Sequence, residues 1–251
     1  MDNTLIFELP SKGLVYEASN PLSLGKLELR YGKATDEDIL ANASLIRNNT
    51  VLYKLIESLI IDKSIDLDTM IVEDHNAAVL AARVSMYGEK YKTKIKCPEC
   101  GASITKEVEI NPDKFKYLEI EPAEPRTNKF KYKTSFGNDL VLKLLTIKDL
   151  KEIEEVEKAS KKINPKGFSP RTQQLRRQIL SVNGEFEMAK IIKFIDNLSS
   201  RESKEIRDHI RKISPAADLK TDFVCFNCGL EIKDIETDID VNFFWEIENN
   251  T

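Results

Sequence analysis

Apolar and polar positions recur along this chain in short blocks, and the blocks come in the same order twice. After the turn-rich Leu9-Pro10-Ser11-Lys12-Gly13 and Ser19-Asn20-Pro21, apolar residues at Leu27, Leu29 and Tyr31 predict a half-buried strand. Thr35, with Asp38 three residues on, is expected to cap a helix continued by Ile39, Leu40, Ala43 and Ile46. Thr50 is expected to open a second helix, whose stripe of Val51, Leu52, Leu55, Ile56, Leu59 and Ile60 recurs at helical spacing and belongs in a core. A third helix is predicted from about 74 to 86, turning Ala77, Ala78, Leu80, Ala81 and Val84 inward and stopping at Gly88. Strands over 94–96 and 104–110 then flank Cys97-Pro98-Glu99-Cys100-Gly101.

The order returns beyond a Pro- and charge-rich stretch, 111–126, expected to be an exposed linker. Phe130, Tyr132, Thr134 and Phe136 alternate, Gly137-Asn138-Asp139 turns, and Leu140, Leu142 and Leu144 alternate back, which predicts a β-hairpin. Thr146 and Asp149 repeat the helix start, Ile147, Leu150, Ile153 and Val156 form its stripe, and Asn164-Pro165-Lys166-Gly167 is expected to end it. Helices are predicted over 171–182 and 186–198, and a last one runs from Ser200 or Arg201 through Ile206, Ile210 and Ile213 to Ser214-Pro215. Phe223-Val224 leads into Cys225-Phe226-Asn227-Cys228-Gly229, and 230–239 leads out. The expected fold class is mixed α/β (α+β), helix-rich, in two similar halves, 1–111 and 112–251, each with short strands, a helical bundle and a CxxCG zinc hairpin. An internal duplication would relate them by an approximate two-fold near the metal, the alternative being a coincidence of pattern.

The two CxxCG patterns hold every cysteine of the chain. In such a knuckle the intervening residues turn tightly, and the glycine takes a positive φ that aims backbone N–H groups at the sulfurs. Two doublets with none left over favour one structural zinc on Cys97, Cys100, Cys225 and Cys228, rather than a redox pair, disulfides or free thiols. Nothing from Met1 onward reads as a signal peptide, so the thiols are expected to stay reduced. Residues 101–224 separate the doublets, far more than the roughly 12 to 20 of a compact ribbon, so the metal should clip whole substructures. Closing that loop costs about 5 kcal/mol, against an apparent zinc affinity of roughly 10 to 16 kcal/mol. Four thiolates leave no open position for water or substrate, so an enzyme is not expected.

At 251 residues, 41% apolar and 32% charged, the chain suffices for one large or two small domains. Its apolar runs are too short to span a membrane, and its net charge of −4 is spread in mixed signs. Membrane, nucleic acid and small-molecule substrates are therefore not expected partners. His75 and His209 follow Asp74 and Asp208, but neighbours on a helix do not face one another, so both are read as surface or capping residues. The basic run of Lys158, Lys161, Lys162, Lys166, Arg171, Arg176 and Arg177 follows four glutamates and is read as a solvated face. Phe243, Phe244 and Trp245 either pack back onto the zinc hairpin or anchor a partner, and Leu9, Pro10 and Lys12 form the other candidate partner surface.

Leu9-Pro10-Ser11-Lys12-Gly13-Leu14-Val15-Tyr16, Asn20-Pro21-Leu22-Ser23 and Asp36-Glu37-Asp38-Ile39-Leu40 resemble the baseplate-hub proteins of T-even-type contractile-tailed phages. So do Asn49-Thr50-Val51-Leu52, Glu73-Asp74-His75-Asn76-Ala77-Ala78, the first CxxCG, and the stretch from Ser200 to Asn242-Phe243-Phe244-Trp245. The resemblance implies a late viral protein that helps build the central hub by binding other hub proteins. It would act as an assembly factor in the host cytoplasm or as a minor structural part of the virion's tail baseplate. A zinc-ribbon nucleic-acid binder is the alternative from another class.

Overall fold

Strand alternation sets the first hairpin: β1 (Thr4–Glu8) and β2 (Lys26–Arg30) pair antiparallel and put Leu27 and Leu29 in the core. The computed structural model describes residues 4–111, 115–163, 169–217, 219–237 and 241–245. α1 (Ala34–Leu40), α2 (Ala43–Arg47), α3 (Val51–Leu59) and α4 (Val72–Tyr87) follow, and then the ribbon of β3 (Lys90–Lys96) and β4 (Ser103–Glu109).

The expected first helix is two helices, because the Asn42 side chain accepts from the N–H groups of Ser44 and Leu45 and caps a new start. Its first turn is closed by Asp36, not Asp38. The Asp36 carboxylate accepts from the Lys33 N–H at 2.8 Å and pairs with Arg30 at 2.7 Å, which leaves Thr35 inside the helix. Thr50 precedes α3 without a side-chain cap; its hydroxyl donates back to the Leu45 carbonyl at 3.4 Å. α3 buries Val51, Leu55, Ile56 and Leu59, as the pattern predicts, and α4 starts two residues earlier than expected and is buried on most sides.

In the second half β5 (Phe130–Lys133) and β6 (Asp139–Leu142) form the predicted hairpin. α5 (Ile147–Ile163) has the predicted reciprocal cap, with Thr146 N–H donating to Asp149 at 2.9 Å and Asp149 N–H to the Thr146 hydroxyl at 3.3 Å. The stop expected at 164–167 lies outside the described residues. α6 (Pro170–Gln178) is shorter than the helix predicted over 171–182, because Ile179-Leu180-Ser181-Val182 becomes β7 (Ile179–Val182), a third strand on β6. α7 (Met188–Asp196), α8 (Ser200–Ile213) capped by Ser199, and the ribbon of β8 (Leu219–Val224) and β9 (Glu231–Thr237) complete the order.

Of the stretch 111–126, residues 119–121 and 123–126 are exposed as expected, but 115–118 are anchored in the fold instead of crossing its outside. Phe115 and Leu118 are buried, Lys116 exchanges backbone hydrogen bonds with Ala216, and the Leu118 N–H donates to the Pro10 carbonyl at 2.8 Å. A single apolar cluster running from Leu9 to Phe244 serves both halves.

Several contacts recur at matching places. Arg30, the Lys33 N–H and Asp36 are arranged as Lys143, the Thr146 N–H and Asp149 are. Ile60, just after α3, bridges Leu29 of β2, as Ile179, just after α6, pairs with Leu142 of β6. The third residue of α4 and of α8 is a buried acid, and each holds a hairpin loop, that of β1 and β2 for Asp74 and that of β5 and β6 for Glu202. Asp74 accepts from the Ser11 N–H at 2.9 Å and from the Ser11 and Tyr16 hydroxyls at 2.6 Å each. Glu202 accepts from the Thr134 hydroxyl at 3.0 Å and the Asn138 amide at 2.7 Å. The Asp74 clamp sits under a crowded loop: Gly13 has φ +74°, and a Cβ there would lie 2.6 Å from the Gly25 nitrogen and the Ser23 oxygen.

Candidate metal centre

Each ribbon ends in the same turn. The Cys97 N–H donates to the Ala102 carbonyl and the Gly101 N–H to the Cys97 carbonyl, at 2.8 and 2.9 Å. In the other knuckle Cys225 pairs with Leu230 and Gly229 with Cys225 in the same way, at 2.8 Å each. Gly101 and Gly229 take φ of 73° and 75°, the left-handed conformation the sequence pattern calls for. Behind the turns Ile95, Cys97, Phe223 and Cys225 form their own buried cluster, with Ala102, Ile104, Leu230 and Ile232 packed against it. Every one of these residues has its counterpart in the other arm at one constant separation along the chain.

The four sulfurs all lie within 4.8 Å of one another, Cys97 to Cys228 at 3.7 Å and Cys100 to Cys225 at 3.6 Å. Sulfurs about 2.3 Å from a common centre in a regular tetrahedron stand about 3.8 Å apart, so the cluster has the dimensions of a tetrathiolate metal site. Exchanging Cys97 with Cys225 and Cys100 with Cys228 turns one of these close pairs into the other. Without a cation the thiols constrain one another. Cys100 is drawn down to about 6, by the Asn227 side chain first and the Ala102 N–H second. Cys228 is held up at about 12 although the Leu230 N–H pulls the other way, because burial and the neighbouring sulfurs keep a proton there. A bound cation would replace those shared protons and let all four ionise.

The segments beyond the two ribbons cross over. After the first, the Lys116 ammonium donates to the carbonyls of Arg211, Lys212 and Ser214 at the end of α8, where a cation suits the helix dipole. After the second, a 3-10 turn at Val241–Phe244 lies on α4: Arg83 Nε donates to the Phe243 carbonyl at 3.2 Å, and the Phe243 ring meets Tyr91 edge-on at 4.8 Å.

The C-terminal aromatics other than Trp245 thus pack back, onto α4 and Tyr91 of the first ribbon. Phe243 and Phe244 are buried in the core and are not a free partner surface, and Leu9 and Pro10 are buried likewise. Lys12 is exposed, its ammonium 5.5 Å from the Tyr117 ring centroid, and Trp245 is 39% exposed; residues 246–247 of the aromatic segment lie outside the described residues. His75 is buried rather than on the surface, and burial first, then Lys151, push it down to about 4. His209 stacks on Tyr132, ring centroids 3.7 Å apart. Along the basic run Lys158, Lys161, Arg177 and Arg176 pair with Glu154, Glu157, Glu152 and Asp196, while Lys166 lies outside the described residues. Phe226, between the second pair of cysteines, is 87% exposed, and the only sequence signal for it is an aromatic residue inside a metal knuckle.

Among the described residues no helix is long and apolar enough to cross a membrane. No curated protein and no solved structure matches the chain. A family model described as T4 bacteriophage base plate protein matches residues 3–245, nearly the whole length, and the chain belongs to that family.

Proposed function

We propose that this baseplate-family chain is a non-enzymatic assembly factor for the central hub of the phage baseplate, acting by binding other hub proteins. The observation that carries the reading is the family match over residues 3–245. The cysteine cluster supports it, since four thiolates around one zinc would close the coordination sphere and leave the ion a purely structural task. On this reading Cys97, Cys100, Cys225 and Cys228 bind one zinc per chain. The halves 1–111 and 112–251 derive from one duplicated unit whose two hairpins share that ion. The matching Asp36 and Asp149 caps, the buried Asp74 and Glu202, and the reciprocal sulfur pairs all support the duplication.

The protein would work in the host cytoplasm during tail assembly, or remain as a minor part of the finished baseplate. Phage lacking this protein, complemented in trans with the wild type or with Cys225→Ser, tests the reading. Hubless tails that the wild type rescues, and the variant rescues poorly, are expected. Normal tails without the protein would defeat it. A mass-spectrometric inventory of finished particles then separates the two versions, stoichiometric protein meaning a structural part. The nucleic-acid alternative would rest on the lysine row of β3, but Lys90 and Lys92 face Glu109 and Glu107 across the ribbon. Salt-dependent retention on DNA or RNA without any hub protein would favour that alternative.

A further inference from the structure

The first turns of α3, α4 and α5 meet around one cavity of about 390 Å³, with apolar walls from Ile46, Leu52, Val72 and Leu150. Two of these helix starts are closed. The leading N–H of α4 donates to the Leu145 carbonyl and that of α5 to the Met70 carbonyl, at 2.9 Å each, and the Thr146 and Asp149 cap completes the second. The nine-residue α3 has no such closure. Thr50 turns its hydroxyl back to Leu45, and the N–H groups of Val51, Leu52 and Tyr53 meet no acceptor among the described residues, although Val51 is buried. His75, on the first turn of α4, lines the same cavity; it is 7% exposed, and its buried Nε2 has no hydrogen-bond partner. Unmade bonds of this kind are costly in a folded protein, and those of α3 and of His75 border one space. The two charged side chains of the cavity are answered from outside it, Lys151 by Asp68 at 2.5 Å and Glu154 by Lys158 at 3.8 Å. What remains is the positive end of the α3 dipole in an apolar setting, which suits one negative charge better than two.

We propose that this cavity binds a terminal carboxylate borne by an apolar residue, the C-terminus of a partner polypeptide. The carboxylate accepts from the open N–H groups of α3, as anions do at helix starts, and from His75 in the tautomer that carries its proton on Nε2. The last side chain of the partner packs against Leu52, Val72 and Leu150. The volume lies at the small end of the about 300 to 1,000 Å³ of ligand pockets, room for one terminal residue rather than a docked helix. Capture of a chain terminus by backbone N–H groups is a recurring mode of peptide recognition. The inference rests on the reading that the chain works by binding other proteins. Its probes are small acids and peptides, so its failure is told apart from a failure of that reading, which the phage complementation decides.

Titration of the nitrogen-15-labelled, zinc-loaded full chain with N-acetyl-phenylalanine, followed by amide NMR, tests it. Saturable shifts are expected at the amides of Val51, Leu52 and Tyr53 and at the imidazole nitrogens of His75. N-acetyl-phenylalaninamide, which keeps the shape and lacks the charge, should bind roughly tenfold or more weakly, since hydrogen bonds to a charged group are the stronger ones. His75→Phe should weaken the acid by a similar factor, and Leu150→Trp, which fills the cavity and leaves the donors in place, should abolish its binding. The comparison of acid and amide on the wild type decides the matter if either variant fails to fold. A pentapeptide ending in phenylalanine should bind at least as tightly as N-acetyl-phenylalanine. Equal binding of acid and amide, shifts confined to other surfaces, or inorganic phosphate or acetate binding as tightly as the acid would each overturn the proposal. So would a cavity that takes the small acid and refuses the peptide, because its ligand is then a free acid and not a chain terminus.

Discussion

Replacing Asp74 by Asn tests how the first hairpin loop is held. Asp74 is fully buried and accepts from the Ser11 N–H, the Ser11 hydroxyl and the Tyr16 hydroxyl. Two effects oppose one another there: burial disfavours the charged carboxylate, and the three donors favour it. Burial wins, raising the group from 3.8 to about 6. A group raised on folding contributes stability that is complete below its unfolded value and is lost as pH rises through the folded one. The displacement corresponds to about 3 kcal/mol in full, of which about half falls between pH 5 and pH 8. Asn cannot titrate, and it is nearly the shape of the protonated acid. In urea unfolding of the metal-loaded protein at several pH values, the wild type should therefore lose about 1.5 kcal/mol relative to Asp74→Asn across that window, at unchanged m-value. Tyr16, raised well above its ordinary value by burial first and by Asp74 next, keeps its proton throughout and adds no slope. Parallel curves would refute the reasoning, and so would a wild type that gains on the variant as pH rises, because then the three donors outweigh burial.

Phe243→Ala should cost about 3 to 5 kcal/mol in thermal or urea unfolding, because the ring is buried against Tyr91 and Phe244, and a surface aromatic there would cost far less. Gly13→Ala should destabilise much more than Gly137→Ala, since both glycines have positive φ but only Gly13 would drive a Cβ into backbone; melting temperatures decide it. Asp36, which the Arg30 guanidinium above all holds down at about 2, contributes stability above its unfolded value that is lost as pH falls toward 2. Asp36→Asn should flatten that acid limb, as measured by the pH dependence of unfolding.

What the sequence disclosed was mostly local. The α3 stripe, the Thr146 and Asp149 cap and both knuckles depend on residues a few positions apart, and each is where its pattern placed it. Features that depend on distant partners were hidden. Asp36 rather than Asp38 closes α1 because Arg30 arrives from the end of β2. Ile179 to Val182 reads as the end of a helix until β6 offers it an edge. Phe115 and Phe243 look like linker and terminal residues, and they are buried because the segments after the two ribbons fold back onto the rest of the chain, whereas His75 looks like a surface residue and is buried beside residues of α3 and α5. The clustering of the cysteines was legible from their count and spacing.

On the proposed reading one zinc joins the two arms through all four cysteines. X-ray absorption at the zinc edge, on protein whose metal content and oligomeric state have been measured, tests it most directly. One zinc per chain with four sulfur neighbours at about 2.3 Å is expected, and loss of that shell in Cys225→Ser. Fewer than four sulfurs, a shell containing oxygen or nitrogen, or a Cys225→Ser variant that keeps an intact four-sulfur shell would contradict it.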